Sequence, residues 1–125
     1  MNQQNWQRQL RQFVQDRKWE QFHNPKNLVL ALMGELGELS EQFTWLDGEE
    51  SKKIMNGPNK EAVEDELADI FIYLLRLCDV LNVDLDKIFN KKMEKNSKKY
   101  TRQVCQNWDP GKQSRLHPRN SSSLI

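Results

Sequence analysis

A chain of 125 residues, 30% of them charged and with a formal net charge of +1, suits one domain with a modest core and carries no global field that would draw it to nucleic acid or to a membrane surface. The two cysteines, Cys78 and Cys105, fit no metal-binding spacing and read as free thiols of a reducing compartment. No apolar run nears the roughly 20 residues of a membrane helix and the N-terminus is polar, so a cytoplasmic chain is expected.

No stretch sustains the alternation of a strand, and four helices are predicted. The first spans about Asn2 to Asp16, with Trp6, Leu10, Phe13 and Val14 on one face. After the connector RKWEQFHNPKN, Asn24 followed by Pro25 is a start signal: a capping side chain, then a proline in the first turn. The second helix runs from there to about Leu46. LDGEESKKIMNGPNK, with Asp-Gly and Asn-Gly-Pro as breakers, is expected to be a loop. The third helix covers about Asn59 to Leu81. The fourth opens at the cap Asp84 and reaches about Tyr100. The remainder is polar and aperiodic, which predicts a domain over 1–100 and a mobile tail over 101–125. Helices joined by short connections make an all-α bundle of four main helices the expected architecture.

Charge is unevenly placed along these helices. Acids concentrate between Glu35 and Asp69, lysines between Lys87 and Lys99. In the second helix Leu28, Leu32, Leu36, Leu39, Phe43 and Leu46 form a stripe about 80° wide. Glu35 and Glu38 line one flank of it, with Trp45 continuing that flank and Glu41 turned further out. The third helix repeats the pattern: Val63, Leu67, Ile70, Leu74, Leu77 and Leu81 form the stripe, flanked by Glu66, Asp69, Tyr73 and Arg76. If these two helices pack antiparallel through their stripes, four acids meet with no base between them. That is costly unless a cation joins them. Oxygen-only ligands select a hard cation, so Mg²⁺ is expected, with Mn²⁺ as a substitute. Gly34 and Gly37, each costing about 1 kcal/mol in a helix interior, suggest a close approach to the backbone. Taken singly, each acid pair reads as a solvated face; the equal spacing on two helices favours a site.

Other features divide the same way. Lys92, Asn96 and Lys99 share a face of the fourth helix and are candidate phosphate ligands, against a basic helix end favoured by the dipole. Aromatics do not interleave the lysines, so no nucleic-acid partner is expected. Ala68, Ile72 and Leu75 give the third helix apolar surface beyond one stripe, which predicts a homotetramer or else a homodimer. His23 reads as structural.

GELGE (Gly34–Glu38) followed by ELAD (Glu66–Asp69) resembles the E-x-x-E … E-x-x-D signature of the MazG-like all-α nucleoside triphosphate pyrophosphohydrolases. Trp6 to about Tyr100 is similar to the dCTP pyrophosphatase branch of that family. The resemblance implies hydrolysis of a nucleoside triphosphate, dCTP or a modified dCTP, to the monophosphate and pyrophosphate in nucleotide-pool housecleaning. It implies Glu35, Glu38, Glu66 and Asp69 as Mg²⁺ ligands, and Trp19, Trp45 and Tyr73 about the nucleotide. A general base, where one is distinct, is expected at Glu38 or Glu41. Leu10 stands where the branch can carry a histidine, which leaves dUTP-preferring or broad specificity as the alternative. A non-catalytic helical oligomerisation module is the third reading; it would be favoured by loss of one of the four acids, and none is lost.

Overall fold

In the computed structural model, residues 2–102 are described. The predicted tail, apart from its first residues, lies outside them. Among the described residues every regular element is helical: α1 Gln3–Asp16, α2 Pro25–Glu41, α3 Gly48–Lys52, α4 Lys60–Leu81 and α5 Leu85–Lys99. The chain divides into two compact units, Met1–Val83 with α1 to α4, and Asp84–Ile125 with α5.

The starts of these helices follow local chemistry. Asn24 accepts from the Asn27 amide at 2.9 Å ahead of Pro25, which satisfies one of the free amides of the first turn. Asp84 accepts from the Lys87 amide to open α5. The segment expected to be a loop departs from that reading. Asp47 and Glu50 form a reciprocal capping box, and the short α3 follows, then a 3₁₀ turn at Ile54–Asn56. A good cap outweighed the breaker residues there.

The end of α2 is a second correction. It closes at Glu41 rather than about Leu46. The Phe43 and Thr44 amides and the Thr44 hydroxyl all donate to the Ser40 carbonyl, and that competition stops the regular ladder. Trp45 therefore sits in a turn.

Two helices end in paired closures through a residue in the left-handed region. At α4 the Asn82 amide donates to Asp79 O and the Val83 amide to Cys78 O, with Asn82 at φ 57°. At α1 the Lys18 amide donates to Gln15 O and the Trp19 amide to Val14 O, with Lys18 also at φ 57°. Asparagine tolerates that conformation; lysine does so at a cost. The Lys18 closure turns the chain so that Trp19 comes back over α1, its ring 5.7 Å from that of Phe13.

In the first unit α4 is central: α2 packs on it, and so does α1. Val14, Leu28, Val63, Leu75 and Cys78 are buried. Leu28 and Leu75, each 2% exposed, contribute roughly 1.5–3 kcal/mol apiece. Leu75 thus belongs to the chain's own core, not to the spare apolar surface the sequence suggested. The Gln7 amide side chain donates to Leu75 O at 3.0 Å, which ties α1 to α4 and satisfies a polar group inside the core. Trp6 meets Phe71 edge-on at 5.5 Å.

Candidate active site

The packing of α2 on α4 brings Glu35, Glu38 and Glu66 together. One carboxylate oxygen from each lies within 4.8 Å of the others. Glu35 and Glu66 are half-buried and Glu38 is exposed. None of the three takes part in a salt bridge among the described residues. Oε2 of Glu35 and Oε2 of Glu66 are buried without a hydrogen-bond partner.

Three ionised carboxylates so placed are unfavourable, and the effect falls on Glu66. Its pKa rises from 4.5 to about 7, first through a shared proton with Glu35, then through burial, then through hydrogen bonding and repulsion from Glu38. With a proton on Glu66, the Glu35–Glu66 pair has a hydrogen bond; without it, two buried oxygens face each other bare. A hard divalent cation answers both needs. The donor set is all oxygen, two of its buried oxygens lack partners, and among the described residues no lysine or arginine pairs with it. The residues present fit such an ion.

Beside the carboxylates opens a cleft of about 500 Å³, lined by Glu35 and Asp69 together with Leu10, Phe13, Trp19, His23, Tyr73 and Arg76, among others. Of the four predicted metal ligands, three converge. Asp69 lies one turn beyond Glu66 on α4, outside that triangle but in the cleft wall with Glu35. Trp19 and Tyr73 line the cleft. Leu10, noted for standing in a histidine's place, is in it as well.

Two other candidates in the same unit fall outside the cleft wall. Glu41 is exposed and outside the triangle. Trp45 is 92% exposed and not part of the cleft wall, because α2 ends before the flank can reach it. Lys92, Asn96 and Lys99 are all on α5, in the second unit; Lys99 Nζ lies 5.1 Å from the centre of the Tyr100 ring. Beyond the neighbouring residues and the helix's own backbone, no described group comes within 4 Å of where a Cβ would stand on Gly34 or Gly37, so no packing contact among the described residues calls for glycine there.

Two cleft residues were not picked out from sequence. Arg76 was visible on the acid flank of its helix, three residues beyond Tyr73, yet had no partner to suggest a role. His23, read as structural, does hold Arg76: Nδ1 accepts from Arg76 Nε at 3.2 Å.

Helices that bring three carboxylates together beside a cleft lined in part by aromatic side chains define an all-helical protein with a candidate site for a hard cation. Residues 32–107 match the MazG-like family model, and the chain belongs to that family. It is 42% identical over 90 residues to dCTP pyrophosphatase 1 of Rattus norvegicus and 43% identical over 90 residues to that of Homo sapiens, in each case over 71% of this chain and 53% of the relative. The chain thus spans about half the length of these curated relatives. A pyrophosphatase from Archaeoglobus fulgidus, known from a crystal structure, superposes with a TM-score of 0.71 at 40% identity, covering 74% of this chain and 86% of that one.

Proposed function

We propose that this protein is a divalent-metal-dependent nucleoside triphosphate pyrophosphohydrolase. It would convert dCTP, or a modified dCTP, to dCMP and pyrophosphate in housecleaning of the nucleotide pool. The observation that carries the reading is the triangle of Glu35, Glu38 and Glu66, without a salt-bridge partner among the described residues, beside an aromatic cleft that Glu35 also lines. The dCTP pyrophosphatases among its relatives support the choice of substrate.

Glu35, Glu38, Glu66 and Asp69 would hold Mg²⁺, or Mn²⁺ in its place. Bound there, the cation supplies charge neutralisation to a triphosphate and acidifies water. The chain's own groups do the rest. Leu10, Phe13, Trp19 and Tyr73 enclose the base and exclude water from it. Glu38, the exposed member of the triangle, accepts the proton of the attacking water, with Glu41 as the alternative acceptor one turn along α2. One water adds across a phosphoanhydride bond, and its atoms are divided between monophosphate and pyrophosphate. Lys92, Asn96 and Lys99 are proposed phosphate ligands on their shared helix face alone.

A homotetramer, or else a homodimer, is part of this reading. Val29, Leu30, Met33 and Leu36 on α2 and Leu67, Ile72 and Leu74 on α4 are exposed apolar side chains, and symmetric association would bury them. Trp45 keeps a place at the base only as a contribution from a second copy. No described helix is long and apolar enough to cross a membrane, and the free thiol of Cys78 supports a cytoplasmic location.

The test is a nucleotide panel with Mg²⁺, with Mn²⁺ and with chelator, scored for pyrophosphate and monophosphate. Metal-dependent release of both from dCTP, ahead of dUTP and the other triphosphates, is expected. Absence of pyrophosphate from every triphosphate would remove the proposal.

A further inference from the structure

Arg76 and His23 stand together in the cleft wall without a role so far. Arg76 Nη1 donates to Asp79 Oδ2 at 3.3 Å while its Nε donates to His23 Nδ1. Arg11 Nε holds the same Asp79 oxygen at 2.8 Å. The Arg76 side chain is 11% exposed, so its planar fork is fixed by its partners rather than swinging in solvent.

This arrangement determines what His23 can offer. A neutral imidazole that accepts at one nitrogen carries its hydrogen on the other, so His23 Nε2 is a donor. Burial, and then the charge of Arg76, hold the His23 pKa below its ordinary value, which keeps the ring neutral near pH 7. Among the described residues no partner takes the Nε2 hydrogen or those of Arg76 Nη2.

Position along the helix indicates which part of a ligand these donors meet. Arg76 follows Asp69 by seven residues, or ~10 Å of α-helix. A nucleotide with its phosphates at the carboxylates would therefore reach this end of the cleft with its base. Trp19, whose ring lies 6.5 Å from that of His23, and Tyr73 share the wall.

We propose that Arg76 and His23 form a donor-only pair that selects cytosine over uracil and thymine, an inference that rests on the nucleotide reading of this site. Cytosine presents two adjacent acceptors, N3 and O2, which two donors satisfy. Uracil and thymine carry a hydrogen on N3, which sets donor against donor and leaves buried polar groups unpaired. The Tyr73 hydroxyl can accept from the exocyclic amine of cytosine. Asp79 and Arg11 are positioning residues: they hold the guanidinium in place without meeting the base.

Titration calorimetry with dCMP and with dUMP, Mg²⁺ present, reads base selection without turnover. The parent should bind dCMP at least about tenfold tighter than dUMP. His23→Phe keeps an aromatic ring beside Trp19 and deletes both nitrogens; it should narrow the ratio to within about threefold. His23→Gln, whose amide can place a donor near the lost Nε2, should recover part of it. Arg76→Lys keeps the charge and loses the fork; it should narrow the ratio too, and it serves if His23→Phe does not fold by circular dichroism. Equal binding of the two nucleotides by the parent, or an unchanged ratio in the folded variants, overturns the proposal. Hydrolysis is scored separately. An active parent whose selectivity the variants leave intact removes the donor pair alone, whereas a parent that selects dCMP yet hydrolyses nothing removes the hydrolase reading alone.

Discussion

The carboxylate triangle implies a proton inventory that can be counted. With Glu66 raised to about 7 by Glu35, by burial and by Glu38, the metal-free protein carries a proton on Glu66 below about pH 7 and loses it above. A cation takes the ionised ligands, so binding should expel that proton: most of one H⁺ per metal a unit below that pKa and little a unit above it. Titration of Mg²⁺ or Mn²⁺ in buffers of different ionisation enthalpy reads these values, and apparent affinity should rise with pH through 7 and level off above about 8. Stability responds through the same linkage. The folded-state pKa lies above the unfolded value of 4.5, so the proton favours the metal-free fold fully below about pH 4.5, and that favour is lost as pH rises to about 7. Glu66→Gln removes the titrating group. It should abolish proton release, weaken metal binding at least about tenfold, and flatten the pH dependence of the metal-free denaturation midpoint between pH 5 and 8. Metal binding without proton release at pH 6 would refute the reasoning, as would a Glu66→Gln variant that binds metal like the parent.

Trp19→Ala should raise the KM for dCTP by roughly one to two powers of ten, the worth of a base–aromatic stack, while calorimetry shows metal affinity retained. Trp45→Ala removes an indole that is 92% exposed and should change stability, read from the urea midpoint, by no more than about 0.5 kcal/mol; a rise in KM in that variant would mean that a second copy carries the indole to the cleft, and light scattering would then have to show an oligomer. Lys18→Gly relieves a left-handed lysine at φ 57° and should stabilise the metal-free protein by about 0.5–1 kcal/mol in urea unfolding, provided the closure holding Trp19 is kept. Leu28→Ala empties a position that is 2% exposed and should cost about 2–5 kcal/mol, read from the same midpoint.

The helices were legible because their signals are local. The cap at Asn24 with Pro25, the cap at Asp84 and the apolar spacing of Val63 to Leu81 act within a few residues, and the structure places helices there. The flanking acids were legible for the same reason, since spacing of three on a helix puts Glu35 beside Glu38 and Glu66 beside Asp69. Where local signals competed, reading failed. The Asp47 capping box built α3 inside a segment rich in breakers, and the three donors converging on Ser40 O ended α2 before Trp45.

What the sequence by itself determined is therefore the four long helices and which side chains share a face. Only the tertiary structure decided which faces meet. The rotation of α2 against α4 joins Glu66 to Glu35 and Glu38 and leaves Asp69 turned to the cleft wall. The left-handed turn at Lys18 brings Trp19 to that cleft, a conformation that no lysine advertises. His23 and Arg76 are 53 residues apart, and neither has a periodic or spacing signal that points to the other. Such a contact depends on the angle and depth at which two surfaces pack, and those are set by the whole core rather than by any short stretch of chain.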